Sequence, residues 1–132
     1  MKKILFLILF ALLMLAACET QSDLSVTQTD SIPEEYAGKT NPLGADAAVE
    51  GEKVFKSNCE TCHGVQGHGN GPASGSLDPK PKNLAVLQQN VGDDYLFWRI
   101  HTGKPGTSMV AWKGILTDEQ IWQVVSFIRT LQ

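Results

Sequence analysis

The residues best suited to chemistry sit in one short run, Cys59-Glu60-Thr61-Cys62-His63. Two thiols three positions apart, followed directly by an imidazole, is the spacing of c-type haem attachment, in which the thiols bond the vinyl groups and the histidine ligates iron. On one turn of helix, side chains three apart project to the same side, so both thiols reach one ligand while the next residue points at the metal. Two other chemistries use cysteine pairs. A structural zinc site needs four ligands, and no second Cys or His pair accompanies this one. A thioredoxin-like dithiol calls for a βαβ context, which is missing.

An iron held by His63 takes a second axial ligand, and Met109 is the only methionine after Met14. It falls in a loop after a helical stretch, and a thioether ligand raises the reduction potential. His68 and His101 are the rival ligands. His68 follows His63 closely in a glycine-rich turn, and His101 ends a helix, where an imidazolium favours the helix dipole.

The elements that position these groups read as helices. Ala48, Val54 and Phe55 recur at helical spacing among Glu50, Glu52, Lys53 and Lys56, which predicts a first helix over 45–58. The stretch 64–83 is crowded with Gly and Pro and must be irregular. Asp93 is placed to cap a helix over 94–101 that Gly103 and Pro105 terminate, with a second loop over 104–114. Thr117-Asp118-Glu119-Gln120 has the capping-box pattern, and Ile121, Val124, Val125, Ile128 and Leu131 follow on one face. No period-2 strand pattern of useful length occurs, so the fold class is all-α. A small domain so rich in loop needs a staple, and haem would serve as its core. Tyr95, Phe97, Trp98, Ile100 and Trp112 are candidates to line the crevice, with Phe97, Ile100 and Trp112 expected against the cofactor.

The beginning of the chain carries a different signal. Lys2 and Lys3 precede an apolar run over 4–15 and the small pair Ala16 and Ala17, the pattern of an export signal. The run is well short of the roughly 20 residues of a spanning helix. Leu15-Ala16-Ala17-Cys18 resembles the lipobox of bacterial lipoproteins, which implies removal of 1–17 and a lipidated Cys18. The polar stretch 18–43, with Pro33 and Pro42, then reads as a flexible membrane tether and 44–132 as the functional domain. Cysteine arithmetic closes, since Cys59 and Cys62 are the only others. The 132-residue chain has a net charge of -3, and loss of Lys2 and Lys3 with the leader makes it -5. Nucleic acid is therefore not an expected partner. An exported protein on the periplasmic or outer side of the cytoplasmic membrane is expected.

From Ala45 to the C-terminus the chain resembles the class I cytochromes c. The resemblance is carried by the first helix with Gly51 and Phe55, the CETCHG run from Cys59, the GTSMVAW loop from Gly106 to Trp112, and the final helix with Val124 and Phe127. It implies one covalent haem c on Cys59 and Cys62, axial ligands His63 and Met109, and terminal helices crossing at Gly51, Phe55 and Phe127. It also implies that the Pro72 carbonyl holds the ring N–H of His63. The function implied is one-electron transfer between redox proteins, a donor and an acceptor, with no small-molecule substrate and no enzymatic activity. Many relatives carry proline directly after the ligand methionine, whereas Val110 stands there in this chain. That departure leaves a haem sensor or haem enzyme with a labile sixth ligand as the alternative. A haem-free module with a Cys59–Cys62 disulfide is another.

Overall fold

The computed structural model describes residues 30–132. The leader over 1–17, Cys18 and the tether up to residue 29 lie outside the described residues. The elements are α1 (Ala47–Asn58), α2 (Glu60–His63), a 3-10 turn (Ser74–Ser76), α3 (Leu84–Leu87), α4 (Asp93–Thr102) and α5 (Asp118–Ile128). Among the described residues there is no strand, only an isolated bridge between Lys113 and Leu116. The chain is all-α, as its periodicity implied.

Helix α1 opens on Ala47-Ala48, residues of high helix propensity, and its exposed face is laced by Glu50–Lys53 and Glu52–Lys56 pairs at 2.6 and 2.7 Å. Surface pairs of this kind add only a few tenths of a kcal/mol each, so α1 depends on its buried face. That face is Gly51 and Phe55, and it packs on α5. The Phe55 and Phe127 rings lie 5.1 Å apart. At Gly51 the helices approach so closely that an added Cβ would fall on the Gln123 carbonyl, with Phe127 Cβ at 3.1 Å. The crossing implied at Gly51, Phe55 and Phe127 is therefore present.

Helix α5 starts with the expected capping box. Thr117 Oγ1 accepts from the Gln120 amide at 3.2 Å, and the Thr117 amide donates to Gln120 Oε1 at 2.9 Å. Ile121, Val124, Val125 and Ile128 are buried against the rest of the core.

Two expectations need correction. The tether was expected to run through residue 43, yet the compact unit begins at Ser31. A turn over Pro33 buries Tyr36, and the Tyr36 hydroxyl shares a 2.8 Å hydrogen bond with His101 Nδ1. The Asn41 side chain donates to the Trp122 carbonyl at 3.0 Å and to Ser126 Oγ at 2.8 Å. This arm is fastened by Tyr36, by Ile32 and Leu43 packed against the core, and by polar contacts to α4 and α5, anchor points too scattered to form an apolar period. The N-cap of α4 is Gly92 rather than Asp93. Asp93 is drawn away by a long-range ion pair with Arg129 at 2.7 Å and accepts from the Asn41 amide at 3.2 Å.

Candidate functional site

Helix α2 is a single turn. The Cys59 amide donates to the Phe55 carbonyl at 2.7 Å, and the Cys62 and His63 amides donate to the Cys59 carbonyl at 3.1 and 2.9 Å. An isolated turn of this length has no stability of its own. Its last four carbonyls have no partner within the helix, and the loop that follows supplies all four. Amides of Gly64, Ala73, Gly71 and Gly69 donate to the carbonyls of Glu60, Thr61, Cys62 and His63 at 2.8, 2.9, 3.2 and 2.8 Å. The approach leaves no room for a side chain at Gly71, where a Cβ would sit 2.5 Å from the Glu60 and Thr61 carbonyl oxygens. The irregular stretch expected over 64–83 is thus the brace of the motif.

Cys59, Cys62 and His63 open onto a cavity of about 310 Å³, within the usual range for small-molecule sites. Met109 lines the same cavity from the loop after α4. That loop is tied back at both ends. The Lys104 amide donates to the Met109 carbonyl at 3.0 Å, the Met109 amide to Thr107 Oγ1 at 3.1 Å, and the Trp112 amide to the Ile100 carbonyl at 3.1 Å. The cavity's apolar wall includes Phe55, Leu84, Leu96, Ile100, Trp112 and Val124.

Burial sets the electrostatics. It pushes the Cys59 thiol up to about 12, with the neighbouring Cys62 adding to the effect, so the thiol is protonated at neutral pH. Burial also lowers the His63 pKa, against a smaller opposite pull from the Lys82 carbonyl. The imidazole is therefore neutral at neutral pH, the form that binds a metal.

The structure places the expected residues unequally. Ile100 and Trp112 line the cavity as anticipated, whereas Phe97 does not. It stacks on Trp122 at 4.2 Å and on His101 at 5.3 Å, beneath Tyr36 of the arm. At about 100° per residue, Leu96, Arg99 and Ile100 share one face of α4 and Phe97 and His101 share the other. Pro72 is exposed and does not hold the His63 ring. His63 Nδ1 lies 3.3 Å from the Lys82 carbonyl instead, and a backbone carbonyl leaves no mark in the sequence by which to find it.

His68 bonds the Gln132 carbonyl at 3.0 Å, and His101 sits between Tyr36 and Asp118. Neither lines the cavity. Sequence reasoning also missed Leu84 and Leu87, on a one-turn helix capped by Asn83, and Arg99. An Asn before a short apolar run was the available signal for the first two. Among the described residues no group of three or more His, Cys, Asp or Glu could hold a bare metal ion.

Comparison with known proteins decides the lineage. A family model described as cytochrome c oxidase, cbb3-type, subunit III matches residues 46–128. The chain belongs to this family of class I cytochromes c. Cytochrome c6 of Parathermosynechococcus lividus is 36% identical over 84 residues, covering 64% of this chain and 88% of the relative. Cytochrome c6 of Euglena gracilis is 31% identical over 80 residues, covering 61% and 87%. In fold the cytochrome is similar to a chain of the Kuenenia stuttgartiensis reducing HAO-like protein complex, with a TM-score of 0.60 and 25% identity. That match covers 69% of this cytochrome and 47% of the other chain.

The cofactor of the family is haem c, and the cavity suits it. Two thiols, a neutral imidazole and a thioether converge on one apolar space, and its wall holds Lys80, Lys82, Arg99 and Lys104 but no aspartate or glutamate. A planar apolar ligand that brings its own carboxylates meets complementary surroundings there. The cytochrome is an electron carrier.

Proposed function

We propose that this cytochrome is exported, held to a membrane by lipid on Cys18, and passes single electrons between a redox protein donor and acceptor associated with that membrane. Cys59 and Cys62 are its thioether attachments, and His63 and Met109 are its axial ligands. The observation that carries the reading is the convergence of those four side chains on a single cavity. Haem held there would supply one-electron chemistry, and ligation by both His63 and Met109 would leave no open position for a substrate.

The chain's own residues do the rest. The Lys82 carbonyl holds the His63 ring, and the Thr107 hydroxyl and the Lys104 amide hold the backbone that carries Met109. The apolar wall excludes water. Lys80, Lys82 and Val110 are exposed residues of the cavity lining and so mark its mouth, with Val110 at 58% exposure. A mouth that carries two exposed lysines fits a partner with an acidic patch around its own redox centre, since complementary charge steers encounter.

Two spectra test the reading. A pyridine haemochrome of the purified protein should report one haem c. The ferric protein should show the weak far-red sulfur-to-iron band, and Met109→Ala should lose it. A native protein that lacks the band and binds cyanide rapidly would overturn the ligand assignment in favour of an open sixth position.

A further inference from the structure

Helix α4 ends on Thr102, so the carbonyls of Ile100 and His101 fall in its last turn and have no partner within the helix. The loop that carries Met109 supplies both. The Trp112 amide donates to the Ile100 carbonyl at 3.1 Å and the Lys113 amide to the His101 carbonyl at 3.0 Å. The loop also closes tightly over Gly103, where a Cβ would lie 2.6 Å from the Met109 carbonyl oxygen. Fraying of this helix end would therefore release the loop. The His101 side chain opposes it from the side of α4 away from the cavity. Its Nδ1 shares the 2.8 Å hydrogen bond with the Tyr36 hydroxyl, its ring stacks on Phe97 at 5.3 Å, and its Nε2 lies 3.6 Å from Asp118 Oδ1. The Asp118 side chain is 74% exposed, so water weakens that last contact. The bond to Tyr36 is buried and is the firmer hold. Elsewhere the arm meets the start of α4, where the Gly38 and Asn41 amides donate to Asp94 and Asp93 at 2.9 and 3.2 Å.

We propose that Tyr36 and His101 are positioning residues for Met109: the arm latches the end of α4, and its release loosens the loop and frees the sixth iron position. The proposal rests on Met109 as an axial ligand. Val110 stands where proline would fix the backbone next to that ligand, so more of the loop's closure falls to its anchorage on α4. The arm thereby acts on the ligand from behind the helix without touching the cavity.

The test compares the haem-loaded wild type with Tyr36→Phe and with Asn41→Ala, a control that loses the arm's bonds to the Trp122 carbonyl and Ser126 but keeps the latch. Ferric protein is mixed with cyanide, whose binding waits on displacement of Met109, and amide hydrogen exchange is followed at Lys113. A wild type without the far-red sulfur-to-iron band refutes ligation by Met109 itself, and Lys113 exchange then decides the latch alone. Tyr36→Phe should speed cyanide binding and Lys113 exchange about fivefold, the factor that one buried hydrogen bond carries. Asn41→Ala should leave both within about twofold even where it lowers Tm as far, whereas a role confined to global stability would move the two variants alike. The proposal is overturned if Tyr36→Phe leaves either rate within about twofold of wild type, or if Asn41→Ala speeds them equally. If Tyr36→Phe retains too little haem to measure, wild-type exchange decides. Ala37 in the arm and Lys113 in the loop should then open as one unit with a shared denaturant dependence, and separate dependences overturn the proposal.

Discussion

Gly51→Ala isolates the closeness of the terminal helix crossing. On an open helix this change would stabilise by about 1 kcal/mol, since alanine is the better helix former. At Gly51 the new methyl would meet the Gln123 carbonyl and lie 3.1 Å from Phe127 Cβ. A side chain could rotate away, but the backbone of α5 can yield only by moving the helix. Overpacking of a core costs typically about 1–3 kcal/mol, and separation would also loosen the Phe55–Phe127 pair, worth about 0.5–1.5 kcal/mol beyond burial. The opposing terms leave a net loss of about 1–3 kcal/mol, and in a domain of this size about 1 kcal/mol lowers Tm by about 4–8 °C. Far-ultraviolet circular dichroism melts of the haem-loaded protein read the shift. An unchanged or raised Tm would show that propensity dominates and that the helices do not meet at Gly51 as closely as described.

The other expectations concern ligand, anchor, arm and docking. Met109→His should keep six-coordination and lower the midpoint potential, because imidazole stabilises ferric iron better than thioether does; potentiometric titration reads it, and an unchanged value would free Met109 from the ligand role. Cys18→Ala should leave the haem spectrum intact and release the protein from membranes, whereas retention after a high-salt wash would refute lipid anchoring. Burial, then the charges of Glu35 and Asp118, raises the Tyr36 pKa above its ordinary 10.0. Above that pH the folded state keeps a proton that the unfolded chain has lost, so stability should fall as pH rises through 10. Denaturant midpoints on either side of pH 10 should show this fall in the wild type and not in Tyr36→Phe. Electron transfer to the native partner should slow as salt rises, the Debye length falling from about 10 Å at 0.1 M to about 3 Å at 1 M. Charge reversal at Lys80 and Lys82 should slow it too, and a rate that is flat or rises with ionic strength would refute basic docking.

The sequence exposed those features whose cause is local. Cys59, Cys62 and His63 are legible because their spacing is that of c-type haem attachment, and α5 is legible because a capping box precedes a one-sided apolar stripe. Helix α4 shows the limit. Tyr95 through His101 are all buried, so periodicity could not separate the face toward the cavity from the face toward the arm, and Phe97 was assigned to the wrong one. The arm was missed for the converse reason. Tyr36 and Asn41 each act alone through long-range hydrogen bonds, which no window of neighbouring residues records. Arg99 reads as an ordinary surface cation until its neighbours are known.

The brace on α2 has a consequence for the order of assembly. Every hydrogen bond that completes it closes between Cys59 and Ala73, a span of low contact order, and such contacts form fast. The crossing of α1 on α5 joins the two ends of the domain and must close a far longer loop, which is slower. The attachment segment is thus able to take shape on a chain whose ends have not met. That timing suits the thiols. Burial in the closed fold pushes the Cys59 thiol up, which holds back the reactive thiolate, whereas a segment still open to water imposes no such shift.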